Sequence, residues 1–190
     1  SFPLWDDPSG SPVDAELERF LAAGTPPVVV SPGSANRHAN SFFTAARDAL
    51  SRLNRRGLFL TGYPEQLPAD LPATILHRPY VPFSAVLPRS AALVHHGGIG
   101  TTAQAFATGV PQLIMPMAFD QPDNAFRAKQ LGVAQWLSPK HFTSDRVVAA
   151  LGQLLEQPAV ARAAAKRRER LQGVDGIGMA CDLLERAVGR

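Results

Sequence analysis

Val94-His95-His96-Gly97-Gly98-Ile99-Gly100-Thr101-Thr102 is the stretch on which the reading of this chain turns. The run Ala91–His95 reads as a strand and Thr101–Thr108 as a helix, with the glycine-rich turn His96–Gly100 between them. Glycine has no Cβ, so a bound group can approach its backbone, and the first N–H groups of a helix have no intrahelical partner. The helix dipole adds about half a positive charge at the same end. A turn of this kind suits phosphate, with Gly97, Gly98, Gly100 and Thr101 around the anion. His96 stands beside the turn and can donate a hydrogen bond to a phosphate oxygen, whereas His95 is expected on the opposite face of the strand. The alternative is a tight strand–helix turn whose glycines serve packing and whose histidine is satisfied by backbone.

Outward from this turn the same alternation recurs. Upstream, a helix fits Asp14–Ala23, a β-branched strand Thr25–Val30, a helix Ala39–Leu53, and strands Leu58–Thr61 and Thr74–Leu76. A proline-punctuated loop then runs from His77 to Pro88. Downstream come a strand at Gln112–Met115, a helix from about Asn124 to Leu131 closed by Gly132, and a strand at Val133–Leu137. Three helical stretches follow: Ser144–Glu156, Ala159–Leu171 and about Ile177–Val188. The pattern predicts an α/β fold, a Rossmann-like doubly wound parallel sheet with helices on both faces. Such sheets bind ligands outside the carboxyl ends of their strands. Residues 1–13, rich in Pro, Ser and Gly, are expected to be a linker leading into one domain over residues 14–190.

At 190 residues the chain has the size of a single domain, able to bury roughly 70% of the surface its unfolded form exposes. Hydrophobic residues at 45% and charged residues at 18% exclude a disordered chain. Cys181, the single cysteine, excludes an internal disulfide and a multi-cysteine zinc site. It is expected as a small core residue, and a reducing cytoplasm is the expected compartment. A net charge of +3 permits an anionic ligand without pointing to nucleic acid. No apolar stretch approaches the roughly 18 residues of a membrane helix, and no secretory-signal pattern is visible. Ser1, in the place of a methionine, points to a piece of a longer protein.

Two further loops carry chemistry. In Ser31-Pro32-Gly33-Ser34-Ala35-Asn36, Gly33 supplies a turn, and Ser34 either caps the next helix or binds an anion. Together with the His96 turn, this loop can close on the two ends of one diphosphate. In Asp120-Gln121-Pro122-Asp123-Asn124, a carboxylate beside an amide suits adjacent sugar hydroxyls; the alternative is a helix start stocked with acidic caps. Tyr80 and Phe83 either stack on a base or pack beneath their loop. Gly98-Ile99-Gly100-Thr101-Thr102-Ala103, with Asp120 22 positions after Gly98, also fits a dinucleotide fingerprint, which would make the chain the NAD-binding domain of an oxidoreductase. Against it, His96 and the Gln121–Asn124 run have no part in ribose recognition, and the chain has little room for a substrate domain. Neither a P-loop nor a Gly-x-Ser-x-Gly elbow occurs.

His96-Gly97-Gly98-Ile99-Gly100-Thr101, Gly109-Val110-Pro111-Gln112, Pro116 and Asp120-Gln121 with Asn124-Ala125 resemble the donor-binding signature of nucleotide-sugar glycosyltransferases of the glycosyltransferase 1 and 28 type. Upstream, Tyr80-Val81-Pro82-Phe83, Leu87-Pro88 and Val30–Ser34 match the same signature. The Ser31–Asn36 and Tyr80–Ser84 wording is most similar to bacterial rhamnosyltransferases of rhamnolipid synthesis, then to sterol and macrolide glucosyltransferases. The resemblance implies the C-terminal, donor-binding half of a GT-B enzyme and an inverting, metal-independent transfer from a UDP- or dTDP-sugar. No cofactor is implied, and the catalytic base lies in an N-terminal acceptor domain outside this chain. Through that domain it also implies a small-molecule or lipid acceptor, the latter placing the protein peripherally at the inner membrane face. Carried over, His96 and the amides of Gly98, Gly100 and Thr101 hold the diphosphate with Ser34 assisting; Tyr80 stacks on the pyrimidine; Val81 backbone pairs with its edge; Asp120 and Gln121 hold sugar hydroxyls. Plant relatives carry Trp, Gln and Glu where this chain has Tyr80, Phe83 and Gln104. Losing the Glu removes a clasp on the ribose hydroxyls, so a preference for dTDP over UDP is expected. A sugar-nucleotide 2-epimerase and a non-catalytic nucleotide-sugar binding module are the other readings.

Overall fold

The computed structural model describes residues 13–189, so all of the expected linker except Val13 lies outside the described residues. Six strands form one parallel sheet: β1 (Val28–Ser31), β2 (Gly57–Leu60), β3 (Ile75–Arg78), β4 (Ala92–His95), β5 (Gln112–Ile114) and β6 (Ala134–Trp136). Their spatial order is β3-β2-β1-β4-β5-β6. Around it lie α1 (Ala15–Ala22), α2 (Asn40–Arg52), α3 (Phe83–Val86), α4 (Ile99–Thr108), α5 (Gln121–Gln130), α6 (Ser144–Glu156), α7 (Pro158–Leu171) and α8 (Gly176–Ala187). The expected doubly wound sheet is therefore present.

Residue period explains why the sheet is covered on both faces. In β1, Val28 and Val30 pack with Phe43, Phe59 and Leu151 on one side, while Val29 packs with Leu17, Leu58 and Leu93 on the other. The first face is filled by aromatics: Phe42 stacks on Phe142 at 4.9 Å, and Phe43 lies 5.1 Å from Phe59. Helices α2 and α6 supply most of that layer. A third cluster joins Ile114 to Ala125 and Ala128 of α5 and to Ala164 of α7, small side chains that let the helices approach the sheet edge. Asp14 accepts from the amides of Glu16 and Leu17 and so caps α1. Arg78, at the end of β3, donates to the same carboxylate at 2.7 Å and holds it well below the usual carboxylate range.

Three local readings change. Helices α4 and α5 begin at Ile99 and Gln121, ahead of the expected Thr101 and Asn124; Pro122 in the first turn of α5 brings a helical φ and needs no donor there. The stretch from His77 to Pro88, expected as loop, carries α3, with Pro82 at its N-cap. Cys181 is exposed rather than in the core, because α8 buries none of its residues against the rest of the chain.

Phe43 is fully buried between Phe42 and Phe59. Phe43→Ala is expected to lower the unfolding free energy by about 3–5 kcal/mol in urea denaturation, against less than about 1 kcal/mol for Phe126→Ala, whose ring is 54% exposed.

Candidate functional site

The strand order reverses at the β1–β4 pair, where a doubly wound sheet leaves a crevice between loops that depart to opposite sides. A cleft of about 1150 Å³ lies there, across the carboxyl ends of the strands. Its walls come from the loops after β1 (Ser31–Asn36), β2 (Thr61–Tyr63), β3 (Tyr80, Val81, Phe83), β4 (His96, Gly98–Thr101) and β5 (Met117–Phe119, Gln121), with Gln104 of α4 behind them. From β3 to β5 is four strand spacings, a span of roughly 19 Å.

At its centre the His96 ring is clasped by two glycines. A Cβ on Gly33 would lie 2.7 Å from His96 Cε1, and one on Gly98 would lie 2.5 Å from His96 Nε2. Gly33 also has a φ of +94°, so neither position accepts a side chain without moving the ring. The two loops expected to close on one diphosphate thus meet through His96. His96 Nδ1 is buried without a hydrogen-bond partner among the described residues. Burial pushes the imidazole pKa down, and the Asp120 charge partly offsets this. Beside it, Gly98 caps α4 in extended backbone, and Ile99, Gly100 and Thr101 of the first helical turn line the cleft. A Cβ on Gly100 would meet nothing within 4 Å, so that side is open.

The capping alternative fails for Ser34, while the acidic helix start stands, with Asp120 at the N-cap and Asp123 in the first turn of α5. Ser34 lies well ahead of α2, whose N-cap is Ala39 without a side-chain bond; the serine is exposed in a turn of the cleft wall. Asp120 is the N-cap residue of α5 but makes no capping hydrogen bond. It stands outside the cleft lining, and its carboxylate accepts from Asn124 Nδ2 at 2.7 Å. The Gln121 side chain folds back: Oε1 accepts from the amides of Met117 and Ala118 at 2.8 and 3.1 Å, so Nε2 remains to meet a ligand. Tyr80 is 58% exposed and stands out from its loop, Phe83 is half-buried, and Val81 and Gln104 are buried in the wall.

The turn is held from beneath by residues to which sequence reasoning assigned no such role. His95 is fully buried with its ring at 89° to that of His96, on the expected opposite face. The Gly97 amide donates to His95 Nδ1 at 3.1 Å, which places the ring proton on Nε2, 3.0 Å from Gln112 Oε1. Asn124 Nδ2 also donates to the Gly97 carbonyl at 2.9 Å, joining the phosphate-type turn to the Asp120 loop. The sequence signal for this support was Gln112, a polar residue in an otherwise apolar strand. Among the described residues, no helix is long and apolar enough to cross a membrane, and no cluster of three or more His, Cys, Asp and Glu is placed to hold a metal ion.

Residues 62–173, more than half of the chain, match the family described as erythromycin biosynthesis protein CIII-like, C-terminal domain. The chain is 37% identical over 184 residues to the O-mycaminosyltylonolide 6-deoxyallosyltransferase of Streptomyces fradiae, covering 96% of this chain and 43% of that protein. To the vancomycin aglycone glucosyltransferase of Amycolatopsis orientalis it is 35% identical over 189 residues, covering 98% and 45%. The crystal structure of the kitacinnamycin glycosyltransferase superposes with a TM-score of 0.74 at 30% identity, over 86% of this chain and 44% of that one. The chain therefore spans less than half the length of these relatives.

Burial pushes His95 down to about 3, with repulsion from His96 adding to it. Below an ordinary histidine value near 6.5, the unfolded chain binds a proton that folded His95 refuses, so stability is full above that pH and falls as pH drops. Urea midpoints are expected to decline from pH 7 to pH 5, with at most about 1.4 kcal/mol per pH unit from this residue. His95→Gln should be less stable at pH 7 but show a shallower decline; an unchanged slope would refute the assignment.

Proposed function

The chain belongs to the family of erythromycin biosynthesis protein CIII-like C-terminal domains, the C-terminal domains of GT-B glycosyltransferases, and we propose that it binds a UDP- or dTDP-sugar for inverting, metal-independent transfer of a hexose to an acceptor hydroxyl. The observation that carries this reading is His96, its ring clasped between Gly33 and Gly98 in the cleft wall ahead of the first turn of α4. Hydrogen-bond donors fixed in that position match the charge that develops on a departing diphosphate and need no reorganisation during the reaction. They take the place that a metal ion fills in other diphosphate sites.

The order of the strands supports a donor laid out along the cleft. Tyr80 and the Val81 backbone, after β3, receive the base. The β1 and β4 loops, with Ser34 and the α4 amides, receive the diphosphate at the centre. The sugar then falls after β5, where Gln121 offers its Nε2, with Asp120 outside the lining at the start of α5. Gln104, in place of a carboxylate, supports a preference for dTDP over UDP. The acceptor, a small molecule or a lipid, and the general base belong to the other half of a longer protein acting in the cytoplasm, peripheral to the membrane when the acceptor is lipid. The relatives named above include a 6-deoxyallosyl- and a glucosyltransferase, so the family spans more than one hexose.

Calorimetric titration of the chain with dTDP, UDP and NAD is expected to show dTDP binding most tightly, and His96→Ala to weaken it by about 10- to 100-fold, the equivalent of one hydrogen bond to a charged group. Binding of NAD alone would overturn the assignment, and equal affinities for dTDP and UDP would overturn the nucleotide preference. The chain by itself is expected to bind donor and transfer nothing in a turnover assay, since acceptor and base are missing.

A further inference from the structure

Arg78 and Arg89 flank the loop after β3, and both reach α1. Arg78, the last residue of β3, forks onto the start of that helix. Its Nε and Nη2 donate to the two carboxylate oxygens of Asp14 at 2.7 and 2.9 Å, Nη2 also donates to Glu16 at 2.6 Å, and Nη1 donates to the His77 carbonyl at 2.8 Å. Arg89, beyond α3, donates to Glu18 at 2.8 Å. Exposed ion pairs add little to stability, and these carboxylates are half exposed or more. The Arg78 side chain is only 16% exposed, and four bonds from one planar fork fix a direction.

The loop is therefore rooted on both faces of its strand. His77 Nε2 donates to the Thr61 carbonyl at 2.9 Å, and the Thr61 amide donates to the Arg78 carbonyl at 3.2 Å, which joins the end of β3 to the β2 loop. Pro79 has no N–H, so the ladder stops and Tyr80 and Val81 depart from this fixed root. Val81 lines the cleft while its side chain packs in the cluster of Leu17 and Leu21, so α1 sets the level at which the Val81 backbone stands.

We propose that Arg78 is a positioning residue for base selectivity: by tying the loop after β3 to the carboxylates of α1, it fixes the Val81 backbone where the edge of the base is read. This inference rests on the donor-site reading above. Pairing of a backbone with a base edge is directional, so a small displacement of the loop weakens it. The diphosphate centre is built from the loops after β1 and β4 and keeps its geometry when the fork is lost.

The test compares dTDP with ADP, which carries the same diphosphate on a purine nucleoside, by calorimetry on the full chain. The unaltered chain is expected to favour dTDP. Arg78→Gln should lower the dTDP-to-ADP affinity ratio about 3- to 10-fold, the range of one hydrogen bond. Asp14→Asn combined with Glu16→Gln keeps the helix cap and removes the charges, so it should lower the ratio likewise. All three changes together should cost no more than Arg78→Gln alone, because the groups act as one unit. General loss of folded protein lowers both affinities alike and leaves the ratio unmoved. A ratio unchanged in either variant, or equal binding of dTDP and ADP by the unaltered chain, overturns the inference although dTDP still binds. Failure of the unaltered chain to bind dTDP or UDP overturns the donor-site reading, and this inference with it.

Discussion

Ser31 and His95 lie opposite each other at the carboxyl ends of β1 and β4, in parallel register. The functional architecture depends on that pairing. Strands in register roughly 4.8 Å apart release their loops side by side, and the chain then departs in opposite directions, so no connection covers the gap. His96 fills the gap. The absence of a Cβ at Gly33 and Gly98 is a consequence, because the imidazole occupies the space that both side chains would need. Two segments far apart in sequence thereby become the walls at the centre of a single cleft.

The turn keeps its shape because it is braced on the side away from the cleft. A buried imidazole is tolerated when both nitrogens are partnered, and His95 has the Gly97 amide on one side and Gln112 on the other. Asn124 adds a second tie, from the Gly97 carbonyl to Asp120. With these groups absorbed by the scaffold, His96 and the first turn of α4 are left to line the cleft. Rigid, already oriented donors are the condition under which electrostatic stabilisation of a leaving diphosphate is effective.

At the β5 end the economy is different. The loop from Met117 to Asp120 is held by its own backbone and by Gln121, and it presents apolar surface to that end of the cleft. The centre of the cleft is thus fixed by scaffold contacts beneath the His96 turn, while the β5 end is set by individual side chains on a loop. That division is consistent with relatives named for different hexoses over one fold.

The strands and helices were legible in the sequence because their causes are local. Val28–Val30 is β-branched and apolar throughout, as a strand buried on both faces must be, and the glycines and prolines that end each element act within a few residues. The glycine-rich turn from His96 to Gly100 was legible between strand and helix for the same reason. Less visible was α3, since prolines around it read as loop, and Cys181 was misplaced because helical period says which side of α8 is apolar but not whether anything covers it. Whether Ser34 caps a helix or faces the cleft, which residues brace Gly97, and that Gly33 meets His96 were all decided by tertiary structure. These are contacts between residues tens of positions apart, such as His95 with Gln112 and Asn36 with Met117. Local propensity fixes an element's kind and face, but only the closing of the sheet in the order β3-β2-β1-β4-β5-β6 brings those partners within hydrogen-bonding distance.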